Sequence, residues 1–195
     1  MSNNTKNLPI VKAVDLHEAA KSDEAWDYLF HFTDKYFEML EKSPDVWQQF
    51  NNFQLVLFTY NCLYGDVVNG GFIQLIINGR TIALEPSFAE ALRVWGAGRI
   101  AEIIDKAKII YENNKDELLR GERLMVEFSE ARSKITDENE AELLWQKTAE
   151  EHSKIYNKIT DFEPLEDAFY ECMDEETATI KKYVESNVGE FAIIE

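Results

Sequence analysis

The sequence predicts an all-α fold, a single-domain multi-helix bundle with a buried central helix, and three observations carry that prediction. Apolar residues recur at helical spacing through almost the whole chain, and only the last residues look strand-like. Leu55 to Tyr64 is apolar nearly all round, which places that helix among other helices. Glycine and proline punctuate the apolar runs at Pro44, Gly70-Gly71, Gly79, Pro86, Gly96 and Gly98, and no Pro/Gly/Ser-rich linker divides the 195 residues. A 45% hydrophobic share with 12% aromatics is enough for one core and excludes a disordered acidic tail.

Residues 1–21 read as an N-terminal arm. Ser22 then caps a helix whose first turn carries Asp23 and Glu24, with Trp26, Phe30, Thr33, Phe37 and Leu40 at helical spacing. Ser43-Pro44 is a second start signal, a capping hydroxyl followed by proline in the first turn, and that helix runs toward Val68. Asn69-Gly70-Gly71 stops it, because glycine takes the left-handed backbone cheaply. A short apolar segment, Phe72 to Ile77, precedes Asn78-Gly79. Pro86-Ser87 opens a helix to Trp95, and Gly96-Ala97-Gly98 breaks it. From Arg99 to about Asn113, Ile100, Ile103, Ile104, Ala107 and Tyr111 turn inward. Charged helices follow near 115–135 and 138–159, and a last pair at roughly 163–173 and 175–187. Phe191 to Ile194 is strand-like but too short for a sheet.

Charge narrows the function classes. Thirty-seven acids against 20 bases leave −17, which excludes direct binding to nucleic acid or an anionic membrane through phosphate neutralisation and favours basic partners. The acidity is uneven: residues 1–50 carry 9 acids and 5 bases, 51–111 carry 5 and 5, and 112–195 carry 23 and 10. No apolar run approaches the roughly 20 residues of a membrane span. Met1 to Asn7 is polar and no signal peptide is visible. Cys62 and Cys172 are far apart in sequence and form no CxxC motif, so the expected setting is a reducing cytoplasm.

No catalytic or metal motif emerges, and no cofactor is expected. There is no GxSxG elbow, P-loop, GxGxxG or EF-hand loop, and no Glu-x-x-His pair for a helical di-metal site. Asp27, His31 and Lys35 form one solvated row, and His152 falls on the seam Leu144, Thr148, Ile155, Ile159 as a boundary histidine. The segment Leu63 to Asn78 stands apart. Two glycines after an apolar helix set a tight corner, Phe72 returns to the core, and Gln74 and Asn78 share a face at i,i+4. Two readings stay open there: a helix corner whose amides satisfy backbone groups, or a polar ligand or enzyme site around Asn69, Gln74 and Asn78 with Asp66 as the acid.

The run from Gly65 and Asp66 through Asn69-Gly70-Gly71-Phe72 to Gln74, with Asn78 after it, resembles a bacterial domain-of-unknown-function family marked by an acidic residue, NGGF, a glutamine and an asparagine. Ala91-Leu92 and Gly96-Ala97, followed by Ala101, Ile103, Ile104 and Ala107, are similar to its second block, and Pro164 to Asn187 to its closing helices. The resemblance covers roughly residues 50–190, with 44–113 as the family core and 114–195 as an acidic helical region. Asp66 stands where glutamate is usual, and the charged pair 115–159 departs from the pattern.

Characterised members of that family are double-stranded-DNA mimics. The resemblance therefore implies an acidic, often dimeric all-α protein whose carboxylates stand in for phosphates on the DNA-binding face of a transcription factor or other basic protein. The candidate contact residues are a stripe of Glu163, Asp167, Glu171 and Asp174, with Glu127, Glu130, Asp137, Glu138 and Glu142 as neighbouring rows. One such stripe is several-fold sparser than a duplex, so the rows would have to lie side by side.

Overall fold

The computed structural model describes residues 7–195, so the first six residues of the arm assigned to 1–21 lie outside it. The fold is all-α. Its helices are α1 (Ala13–Ala19), α2 (Ala25–Lys42), α3 (Asn52–Ile77), α4 (Pro86–Val94), α5 (Gly98–Asn113), α6 (Lys115–Arg132), α7 (Glu138–Lys158) and α8 (Glu163–Ser186). The apolar α3 is the expected central helix. Leu57, Tyr60, Leu63, Val67, Phe72, Leu75 and Ile76 along it are fully buried. α8 packs on α2, α3 and α5, while α6 and α7 form a hairpin that docks on α3 through α6.

Several boundaries differ from the sequence reading, each for a local reason. Ser22 does not cap α2. Its Oγ instead accepts from the Glu24 N–H at 3.1 Å and donates to Asp27 at 2.5 Å, which ties down the approach two residues earlier. The buried row of α2 is Tyr28, Leu29, Phe32, Thr33 and Tyr36, whereas Phe30 and Phe37 are exposed. The helix carries two apolar rows at the same period, and its neighbours decide which one faces in. Ser43-Pro44 opens a 3-10 turn, Pro44–Gln49, and not the long helix. That helix starts from Asn51, whose side chain accepts from the Gln54 N–H while the Gln54 side chain accepts from the Asn51 N–H, a reciprocal capping box.

Gly70 and Gly71 leave helical geometry, with φ +75° at Gly71, but helical bonding resumes and runs to Ile77, so the stop is a kink. α5 turns all five predicted residues inward. The proposed final pair is one continuous helix, α8, because nothing at residues 173–175 breaks it and Phe169, Cys172, Glu176, Thr177, Ile180 and Val184 form one buried row.

The tail also differs from expectation. Ile193–Ile194 (β2) pairs in parallel with Ile10–Val11 (β1), and the Ile193 N–H reaches Pro9 O at 2.8 Å. The partner strand comes from the arm, a pairing that no local pattern announces. Beside it Phe191 is fully buried against Phe32, Phe53 and Trp95, and its carbonyl accepts from the Tyr36 hydroxyl at 3.0 Å.

Candidate functional site

Two regions hold the residues singled out by the sequence, the kink of α3 and the acidic surface of the C-terminal third. At the kink, Gly71 has no room for a side chain. A Cβ there would lie 2.0 Å from Oε1 of Glu166 on α8, in a backbone conformation that already favours glycine. The same Glu166 oxygen accepts from the freed Phe72 N–H at 2.9 Å. Phe72 is fully buried and stacks on Phe162 with ring centroids 5.6 Å apart. The carbonyl of Gly70 accepts from the Tyr156 hydroxyl on α7 at 3.2 Å.

The polar side chains at the kink close on one another. Gln74 accepts weakly from Tyr156 at 3.4 Å and donates to Asn78 at 3.0 Å, and Asn78 donates to Asp66 Oδ1 at 2.8 Å. Asn69 is exposed and bonds back to the Gly65 carbonyl at 2.6 Å. Asp66 is only 8% exposed, and its Oδ2 has no hydrogen-bond partner although Arg80 Nε lies 3.4 Å away. Burial pushes the Asp66 carboxyl above the usual range, while the Asn78 bond and the Arg80 charge oppose that shift. Tyr156 is pushed up to about 12, first by burial and then by the nearby charges of Glu166 and Asp66. Amides paired with amides and hydroxyls paired with carbonyls fasten α3, α7 and α8 together.

On the acidic surface, Glu163, Asp167, Glu171 and Asp174 are all exposed along α8, and among the described residues none is ion-paired. By spacing, Phe162, Leu165, Phe169 and Cys172 face the other way; Phe162, Phe169 and Cys172 are buried and Leu165 is half-buried. The second group sits on the α6–α7 hairpin. Glu127, Glu130 and Glu142 are exposed there, and Glu142 accepts from Gln146 at 3.0 Å. Asp137 caps α7 by accepting from the Glu140 N–H at 2.9 Å, and Glu138 lies 3.5 Å from Arg132. The hairpin and α8 both pack on α3 and α5, and the two groups of acids sit on these separate elements.

The structure adds two acids that sequence reasoning treated as helix-start residues. Asp23 and Glu24 line a cavity of about 160 Å³ together with Asp174, Trp26, Tyr64 and Thr177. Trp26 stacks on Tyr64 with centroids 4.6 Å apart. Burial raises the Tyr64 phenol pKa, and the charges of Asp174 and Glu24 raise it further. The α8 row therefore ends at an aromatic hollow rimmed by carboxylates, a setting suited to a guanidinium or ammonium group. Only the approach of α2 to α8 creates it, and no spacing within α2 signals that approach.

Among the described residues no group of three or more His, Cys, Asp or Glu could hold a metal ion, and no helix is long and apolar enough to cross a membrane. Cys62 and Cys172 are free and buried. No curated protein matches the chain. A family model described as DMP19-like protein matches residues 48–187, from the end of the first 3-10 turn through α8.

Proposed function

The chain belongs to the DMP19-like protein family, and from that premise we propose that it is a non-enzymatic binding protein that mimics double-stranded DNA. Its carboxylates occupy the DNA-binding face of a transcription factor or another basic protein. The observation that carries this reading is the row Glu163, Asp167, Glu171 and Asp174, exposed and without an ion-pair partner among the described residues, on a helix whose opposite face is buried in the core. Over these residues the axis advances about 16 Å, a length over which a duplex presents about ten charges. Four carboxylates are less than half of that density. Asp23 and Glu24 at the end of the row bring the set to six. The contact is therefore a partial imitation, concentrated on one helix, with the Trp26–Tyr64 hollow receiving an Arg or Lys side chain.

Carboxylates held in place supply charge-assisted hydrogen bonds to Arg and Lys, and the net charge of −17 accelerates encounter. In this reading the protein acts in the cytoplasm, as a homodimer, without nucleic acid, membrane or cofactor as a partner. The test is capture of basic proteins from source lysate at low salt, followed by elution with high salt and, separately, with duplex DNA. A DNA-binding protein released by both is the expected result. A partner indifferent to salt and to duplex would sink the proposal.

A further inference from the structure

A second surface, far from the acids in character, carries its own inference. On α3, Leu55, Phe58, Thr59 and Cys62 line one wall of a cavity of about 250 Å³, closed opposite by Trp47 and by Ile82 from the 3-10 turn Thr81–Leu84. A neighbouring hollow of about 290 Å³ shares Leu55, Thr59 and Ile82 and continues to Phe88 of α4. Ile82 is 59% and Trp47 51% exposed, so the rim is apolar and open. Among the described lining residues of both hollows there is one charged side chain, Arg80, and no carboxylate.

Arg80 is held from behind. Its Nε lies 3.4 Å from Asp66, and Asp66 accepts from Asn78, which in turn accepts from Gln74. A guanidinium has five N–H donors, more than one long carboxylate contact and the adjacent Cys62 thiol can occupy. The kink network thus places a cation with spare donors in the lining of an apolar cleft. Pockets for drug-sized ligands run from about 300 to 1,000 Å³, so this one selects a smaller body.

We propose that the cleft binds a small amphipathic anion, a carboxylate on a single ring or short branched chain, with the carboxylate on Arg80 and the body against Leu55, Phe58 and Ile82. The site does not depend on the DNA-mimic reading. On a chain of net charge −17 the overall field repels anions, so any preference for an anion is a local signature of Arg80.

Three probes with one body separate the contributions: benzoate, benzyl alcohol and benzylammonium, titrated against the full chain by ligand-observed NMR. Benzoate binds about tenfold tighter than the alcohol, the step expected of one hydrogen-bonded charge, and the ammonium binds weakest. Arg80→Gln removes the benzoate advantage and leaves the alcohol unchanged, and Arg80→Lys restores part of it. Ile82→Glu, at an exposed position that keeps the fold, weakens the alcohol as well; circular dichroism melting of each variant checks the fold. The proposal is overturned if the ammonium binds best, if Arg80→Gln leaves the ratio unchanged, or if no probe binds. If no probe binds and Ile82→Glu lowers the sedimentation coefficient, the cleft is a contact between copies of the chain instead.

Discussion

The α8 helix and the α6–α7 hairpin are both rich in acids, yet they use them differently. In the hairpin, Glu117 and Glu151 are shared among Arg120, Lys154 and Lys158, and few residues are buried: Leu118 and Gly121 on α6, and Ala141, Thr148 and Ile155 on α7. That is a solvated helix pair laced by surface ion pairs, each worth about 1 kcal/mol or less. In α8 the inward acids hold the core: Glu166 bonds the Phe72 N–H, and Glu176, 6% exposed, accepts from the Arg99 N–H and side chain. Of the outward acids of α8, Glu175 pairs with Arg99 at 2.5 Å, whereas Glu163, Asp167, Glu171 and Asp174 have no ion-pair partner among the described residues. Exposed acids without an ion-pair partner among the described residues occur on both elements, Glu127, Glu130 and Glu142 on the hairpin included, so what sets the α8 row apart is the buried anchoring of the helix that carries it.

The severest way to break this contrast is Gly71→Ala. Its Cβ would push the Glu166 carboxylate off the Phe72 N–H at a left-handed backbone, so a loss of about 3 kcal/mol is expected in urea unfolding. Glu176→Gln follows, at about 2 kcal/mol, because it weakens charge-assisted bonds at the buried start of α5. The double change Asp167→Lys with Glu171→Lys leaves unfolding unaltered but weakens capture of a basic DNA-binding partner about tenfold, with a shallower salt dependence. The matched control, Glu127→Gln with Glu130→Gln on the hairpin, leaves both stability and capture unaltered. If the hairpin control abolishes capture and the α8 change does not, the assignment of the face is reversed.

The smallest effect belongs to His152, half-buried with its Nε2 3.3 Å from the Gly121 carbonyl. Burial holds its pKa below the ordinary 6.5, so the folded state binds the proton less tightly than the unfolded chain. Its stabilising contribution is complete above 6.5 and is lost as pH falls through the folded value. His152→Gln should remove that slope from the unfolding midpoint measured across mildly acidic pH, and an unchanged slope would assign it to the hairpin carboxylates.

Much of this architecture is legible in the residues, because glycine, proline and helical spacing are local signals. The Pro86 start, the Gly96 stop and the inward row of α5 are all of that kind. What escaped depends on distant neighbours. The two apolar rows of α2 are indistinguishable until α8 covers one, and Ile193 finds its strand partner at Ile10. The site behaves likewise. Counting acids four apart isolates the row on α8, but Glu166 and Glu176 acquire their roles from α3 and α5, and Asp23 and Glu24 theirs from the approach of α2. The Gly70-Gly71 corner was visible as a break, whereas the carboxylate that forces it to remain glycine lies 95 positions away.

The two inward carboxylates of α8 have a geometric consequence. Each residue advances about 100° around a helix, so Glu166 and Glu176 sit about 80° apart in azimuth, both on the buried side. One is anchored to the backbone of α3 and the other to the start of α5. Two anchors at different azimuths and heights lock the helix against rotation about its own axis, as a key locks a shaft. The four outward carboxylates therefore inherit a fixed bearing without spending any of their own bonds to obtain it, and a partner meets an array whose angular phase was set inside the core.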